Sequence, residues 1–447
     1  MNNFSKLIWG WPLIFAILAL GTYLSCKLMV LKLSRLKLAF KYAMSDGEKG
    51  SGDISIFASL CTALSATLGT GNIVGMAVAV TTGGPGALFW LWISSIFSLS
   101  LKYAESFLAV KYRKFEVDGT VSGGPMYYMR LGFGSNALAK VFAVSGMAVA
   151  LVGIGTLVQS NSIAVACGSF GLSPVTTTAI LSIVVAIITI GGLRKIAAVA
   201  EKVVPIMTIL YIGAAIVVLL ANIHRLPGVF YSVFRCAFDP QAVLGGGIGI
   251  SASVAASVGV SRGIFSHESG LGSSAIAAAA ARVDSPAKQG LASMSGAILS
   301  VVVCTMTMLV VLVVCDSGML FGESRTMEGA MLTSYAFGEG LGSAKLGNGI
   351  VGVSIVLFAF TTIIGWNYYG EKCTQYLFGK KAVILYKLTF ILFVAIGPFF
   401  KIAGIFALAD IVVGVMAISN LIGLGRLGKV VIDGASEFFA NPDTKGN

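Results

Sequence analysis

The chain has 447 residues, of which 56% are hydrophobic and only 11% charged. That balance excludes a soluble multidomain protein, and the net charge of +12 need not signal nucleic acid, because the basic residues lie between long apolar runs. Uncharged runs of roughly 18–25 residues, each able to cross a hydrocarbon core of about 30 Å, predict an all-α polytopic membrane protein.

In chain order, eleven spans are expected. Span 1 covers about 8–26 and precedes a basic stretch to about 53. It is read as a retained helix rather than a signal peptide, since it is long and the basic cluster follows it. Span 2, about 56–80, carries Gly69, Thr70, Gly71, Asn72 and Gly75 in mid-run. Glycine lets the backbone leave α geometry, and broken backbone at membrane depth is tolerated only beside a protein-enclosed cavity. An unwound ligand-binding helix is therefore expected there, although Gly71-x-x-x-Gly75 also suits close helix packing.

Spans 3 to 6 fall at about 87–108, 139–166, 173–192 and 203–222. Span 7, about 241–260, opens with Gly245, Gly246, Gly247 and Gly249, and a polar stretch, SRGIFSHESGLGSS, follows it on the expected cytoplasmic side. Spans 8 to 11 fall at about 289–315, 348–367, 382–399 and 402–424. The loop 316–347 suits a lid, and a frayed tail is expected from about 430.

With span 1 set aside, spans 2–6 and 7–11 form two sets of five. An odd number inverts one set against the other, and each begins with a glycine-interrupted span. Paired interruptions of this kind point to a transporter's binding site. The units are 1–53 (extra helix and basic segment), 54–225 and 226–425 (the two repeats) and 426–447 (tail). With the N-terminus outside and the C-terminus in the cytoplasm, all Lys and Arg except Lys6, Arg225, Arg235, Arg325, Lys345 and Lys401 face inward, as the positive-inside rule asks of a cell-membrane protein. Seven cysteines lack a C-x-x-C pair, and two histidines cannot build a histidine metal site.

Several residues could carry chemistry. Freed amides around Thr70, Gly71 and Asn72, at a half-helix N-terminus, favour a substrate carboxylate. The carbonyls of Ser65 and Leu68 suit a hard cation such as Na⁺. On span 9, Thr362 and Trp366 share a face with Thr361 beside them. The threonines could complete an ion's oxygen shell and Trp366 could wall a pocket, or they could bond their own helix and anchor at the interface. Gln159 and Asn161 could be substrate ligands or interhelical bonds. Asp410 could be a cation or proton site or a partner of Asn420, and Glu268 a gate or a helix cap.

These residues resemble the alanine or glycine:cation symporter family, also called the sodium:alanine symporters. The run Gly83-Gly84-Pro85-Gly86-Ala87-Leu88-Phe89-Trp90-Leu91-Trp92-Ile93 is similar to the family signature, with Leu91 where Met and Ser98 where Gly is usual. GTGNIVG, GGPMYYM, VQSNSIA, RGIFSHESGLGSS (with His267 where Asn is usual) and TTIIGWNYYGEK resemble its other blocks across nearly the whole chain. The resemblance implies the five-plus-five inverted-repeat transporter fold, and a Na⁺ site of Ser65 and Leu68 with the Phe358 carbonyl, Thr361 and Thr362. It also implies a small amino acid held by Thr70, Gly71, Asn72 and Gln159, with Gly246 and Gly249 opposite and Trp366 capping the pocket. The expected function is Na⁺-coupled uptake of alanine or glycine, with no covalent chemistry and no obligatory protein partner. A cation channel, an H⁺-coupled carrier of another small zwitterion, and a membrane enzyme are the alternatives.

Overall fold

The computed structural model describes residues 11–45, 50–239, 251–316, 319–320, 327–400 and 402–440, with side chains in the last segment from residue 408. Eight helices among these are long and apolar enough to cross a membrane, and a bent pair makes a ninth. The seventeen-residue Pro174–Ile190 is shorter, and Ala252–His267 begins where residues 240–250 are not described. A total of eleven therefore remains an expectation.

The helices follow in order: α1 (Trp11–Leu28), α2 (Leu33–Ala43), α3 (Ile56–Thr67), α4 (Met76–Gly83), α5 (Gly86–Lys111), α6 (Pro125–Phe133), α7 (Asn136–Val152), α8 (Leu157–Gly168) and α9 (Pro174–Ile190). Then come α10 (Gly192–Ala221), α11 (Leu226–Phe238), α12 (Ala252–His267), α13 (Ala275–Ala279) and α14 (Pro286–Val314). The last four are α15 (Gly329–Gly340), α16 (Ala344–Phe378), α17 (Ala382–Ile396) and α18 (Ile402–Ala440). A small hairpin pairs Lys114–Phe115 with Val121–Ser122.

Burial separates axis from periphery. The most apolar window of both α5 and α16 is 67% buried, against 28% for the span beginning with α17, so α5 and α16 form the centre. On α9, Ile180, Ile183 and Ile187 are exposed at helical spacing. Such a stripe belongs against lipid, since soluble surfaces rarely present one.

Span 4 stays a single candidate span, Asn136–Gly168, with a local interruption between α7 and α8, where Gly153 and Gly155 fit close against neighbouring atoms. Three expectations need correction. The expected lid loop holds a helix, α15, with Ala336 and Phe337 fully buried. The tail, as far as Ala440, continues α18. Its apolar face is the reason: Val431 and Ala435 are buried, Gly434 packs on Phe107, and Arg35 stacks on the Phe439 ring at 3.7 Å. Finally, Lys102, Lys372 and Lys387 are buried rather than facing water. Each has local partners, such as the Val121 carbonyl at 2.8 Å for Lys372 and Glu371 at 3.0 Å for Lys387.

Outside the spans, Lys380 hydrogen-bonds Asp118 of the hairpin turn and holds its carboxyl well below the usual range. Arg113 ties the ends of several elements together. Its guanidinium donates to the carbonyls of Ser51, Ala279, Ala281 and Val283 at 2.8–3.2 Å. Five fixed donors suit such convergence and an ammonium does not. Arg113→Ala is expected to lower stability by about 2–3 kcal/mol, read as a lower melting temperature in detergent, with Arg113→Lys recovering little.

Candidate functional site

The central break forms where the sequence placed it. Leu68 leaves helical geometry after Thr67, and residues Gly71–Gly75 make a wide π turn before α4. The two halves bend by 56°. Asn72 organises the turn: its Oδ1 accepts from the Gly69 amide at 3.1 Å, and its Nδ2 donates to Ser266 at 2.7 Å and Ser300 at 2.9 Å. Carbonyls released by the turn are recovered by hydroxyls, since Thr307 donates to Asn72 O at 2.8 Å and Thr333 to Ile73 O at 3.4 Å. Broken backbone inside a membrane persists only with such partners. The amide of Asn72 therefore braces the break, and Thr70 and Gly71 line the cavity beside it. Gly71 is exposed to open space, with nothing near a would-be Cβ.

That space is a cavity of about 460 Å³, within the ordinary range for small-molecule sites. Thr70, Gly71, Asn72, Gln159 and Trp366 all line it. Thr70 donates to Gln159 Oε1 at 3.1 Å, so α8 is fastened to the break. Trp366 is 1% exposed, packs edge-on against Tyr369, and meets the α7–α8 interruption at Gly155. Asn161 is not part of this cavity; its amide bonds the Pro398 carbonyl at 3.3 Å, the interhelical alternative. Gly246 and Gly249 lie outside the described residues.

Of the five residues expected at the ion, Leu68, Phe358 and Thr362 come together on the α3–α16 contact, while Thr361 bonds its own helix and Met207. Thr362 Oγ1 lies 2.8 Å from the Phe358 carbonyl and 3.4 Å from that of Leu68. Thr361 Oγ1 lies 3.0 Å from the same Phe358 oxygen. Ser65 sits one turn before the break with its hydroxyl against Gly365, where a Cβ would approach it to 2.6 Å. This set of hydroxyl and carbonyl oxygens has the donor chemistry of a hard monovalent cation. The Leu68 carbonyl, at the end of α3, meets only a long contact from Thr362 among the bonds that cross the break.

The interruption expected at Gly245–Gly249 lies outside the described residues, and a second break appears further on, where none was expected. The stretch assigned to the cytoplasmic surface, Ser266 to Ser274, is buried almost throughout and packs beside the first break. Helix α12 ends at His267; Glu268 (φ +51°), Gly270 (φ +90°) and Gly272 (φ +78°) then turn the chain before α13. Glu105 and Asn420 hold this turn from α5 and α18. Asn420 also bonds Tyr128 and the Gly270 carbonyl, so it is not the partner of Asp410. Asp410 instead lines the cavity with Arg262, its electrostatic neighbour. Charge in SRGIFSHESG read as water-facing; its five small or hydroxyl residues were the sign of close packing.

Comparison with known proteins bears on the family and the fold. The family model described as the sodium:alanine symporter family matches residues 1–447. An uncharacterised transporter of Haemophilus influenzae is 45% identical over 98% of this chain and 95% of its own. The sodium/alanine symporter AgcS of Methanococcus maripaludis is 40% identical over 98% and 96%. Among solved structures, MhsT in complex with L-phenylalanine superposes with a TM-score of 0.58 at 13% identity, covering 86% of this chain and 96% of that one, which supports the five-plus-five transporter fold. With a family match over its full length and relatives that are transporters rather than enzymes, the chain belongs to the sodium:alanine symporter family, and its work is cation-coupled amino-acid symport across a membrane.

Proposed function

We propose that the protein couples the inward flow of Na⁺ to uptake of alanine or glycine, with its N-terminus outside and its C-terminus in the cytoplasm. One observation carries the reading: the two sites share a single break. Leu68, whose carbonyl faces the ion side, is two residues from Thr70 and Gly71 on the substrate side, and Thr362 touches the first while lining the same cavity.

Coupling follows from that adjacency. A cation drawn to the carbonyls of Ser65, Leu68 and Phe358 and the hydroxyls of Thr361 and Thr362 fixes the end of α3. Fixing it positions the Thr70–Gly71 amides and the Thr70–Gln159 bond that receive the amino acid. Each ligand then raises the affinity for the other, as linkage requires. Trp366 bounds the side-chain end of the cavity, and the alternation of access is a shift between populated states.

The test is uptake of radiolabelled alanine and glycine into proteoliposomes with an inward Na⁺ gradient. Accumulation is expected with Na⁺ and absent with K⁺ in its place. Equal accumulation driven by a proton gradient without Na⁺ would reject the ion assignment, and flux without saturation would reject a carrier.

A further inference from the structure

The charge around the second interruption does not balance. Lys102, Glu105 and Glu268 are 3%, 0% and 2% exposed. One oxygen of Glu105 accepts three N–H bonds, from Gly270 at 2.8 Å, Gly272 at 3.1 Å and Asn420 at 2.7 Å. Three donors on one oxygen favour the charged form, while the other oxygen, Oε2, is buried without a hydrogen-bond partner. Lys102 donates to the His267 carbonyl at 2.9 Å and is the cation beside both acids. His267 accepts at Nδ1 from the Ser269 amide at 3.2 Å, so its ring is the neutral tautomer and adds no charge. Arg262, also on α12, has Asp410 as its charged neighbour.

Among the described residues one cation thus faces two carboxylates, and of the two only Glu268 lines the cavity. Its Oε2 accepts from Ser273 at 2.5 Å, and the residue lines the cavity with the Trp366 indole facing it. The left-handed backbone at Glu268 is uncommon for a residue with a side chain, and here it carries the carboxylate into the turn beside the first break. An uncompensated carboxylate in a low-dielectric interior is costly, and acids inside membrane segments persist where a cation arrives to meet them.

We propose that Glu268 receives the ammonium group of the transported amino acid. The zwitterion then lies across the cavity, its carboxylate at the Thr70–Gly71 turn and its ammonium at the Glu268 turn, so each interruption binds one end. This rests on the amino-acid symport reading and deepens it. It makes Glu268 a specificity-determining residue: ligands with a carboxylate but no ammonium are excluded because they leave its charge buried and unpaired.

The experiment is equilibrium binding of radiolabelled alanine to the purified protein in nanodiscs at saturating Na⁺, with lactate and propionate as competitors. Neither competitor should displace alanine at about a hundredfold excess. Glu268→Gln should weaken alanine binding by at least about tenfold while radiolabelled Na⁺ binding persists, and Glu268→Asp, which keeps the charge, should recover part of the loss. Displacement by lactate comparable to that by alanine would overturn the proposal, as would Glu268→Gln binding alanine like the parent. Loss of Na⁺ binding in Glu268→Gln would place the metal ion there instead and also overturn it. Should that variant not fold, the competition on the parent protein decides alone. No alanine binding by the parent would instead defeat the broader symport reading, which separates the two failures.

Discussion

Thr362→Ala should abolish Na⁺-driven accumulation of alanine at ordinary Na⁺ concentrations while leaving the protein folded. The residue is buried at the α3–α16 contact, and its hydroxyl reaches across to the Leu68 carbonyl at 3.4 Å. Removing an oxygen ligand to a charged partner costs about 1.5–3 kcal/mol, or roughly a ten- to hundredfold rise in half-saturating Na⁺. Thr361→Ala should cost less, because its hydroxyl is shared between the Phe358 carbonyl and the Met207 sulfur, at 3.0 and 3.6 Å, and touches no atom of the break. The readout is alanine uptake against Na⁺ concentration. Alanine affinity at saturating Na⁺ should move little in Thr362→Ala, since Thr70, Gly71 and Gln159 are untouched. Unchanged Na⁺ dependence in a Thr361/Thr362 double alanine variant would refute the ion site.

Which parts of this were legible in the sequence follows from how each signal arises. The first break was legible because Gly69, Thr70, Gly71 and Asn72 weaken a helix locally, whatever packs around them. Thr361, Thr362 and Trp366 were legible as one face because helical spacing alone sets it. The second break was not. Charge in SRGIFSHESG pointed to water, and only the fold supplies the bonds that make it buried: Glu105 from α5 and Asn420 from α18 are 165 and 150 residues away from Gly270 in the chain. Lys102 misled for the same reason, since its partner is a backbone carbonyl that no pattern reveals. Asn72 lines the cavity, but whether it faces that space or bonds protein depends on Ser266 and Ser300, which are distant in sequence. The end of α18 was misjudged because polar composition hid a face whose partners, Phe107 and Arg35, lie near the other end of the chain.

Gly69→Ala should reproduce the defect of Thr362→Ala, and the two should not add. A Cβ on Gly69 would stand 2.7 Å from Thr362 Oγ1, closer than real side chains approach, but 3.7 Å from Thr362 Cβ, an ordinary contact. The hydroxyl must therefore turn away from the Leu68 and Phe358 carbonyls, and the ion loses the same oxygen by displacement instead of deletion. In the double variant the offending atom is already gone, so Na⁺ dependence should match that of Thr362→Ala alone. Independent sites would give additive losses, and contacting residues depart from additivity by about 0.5–3 kcal/mol. Gly71→Ala supplies the contrast two residues on. Nothing lies within 4 Å of its Cβ, so the methyl enters the cavity, weakening alanine binding while leaving half-saturating Na⁺ nearly unchanged. Additive losses in the Gly69/Thr362 pair, or a Na⁺ defect in Gly71→Ala, would mean that the break does not separate an ion side from a substrate side.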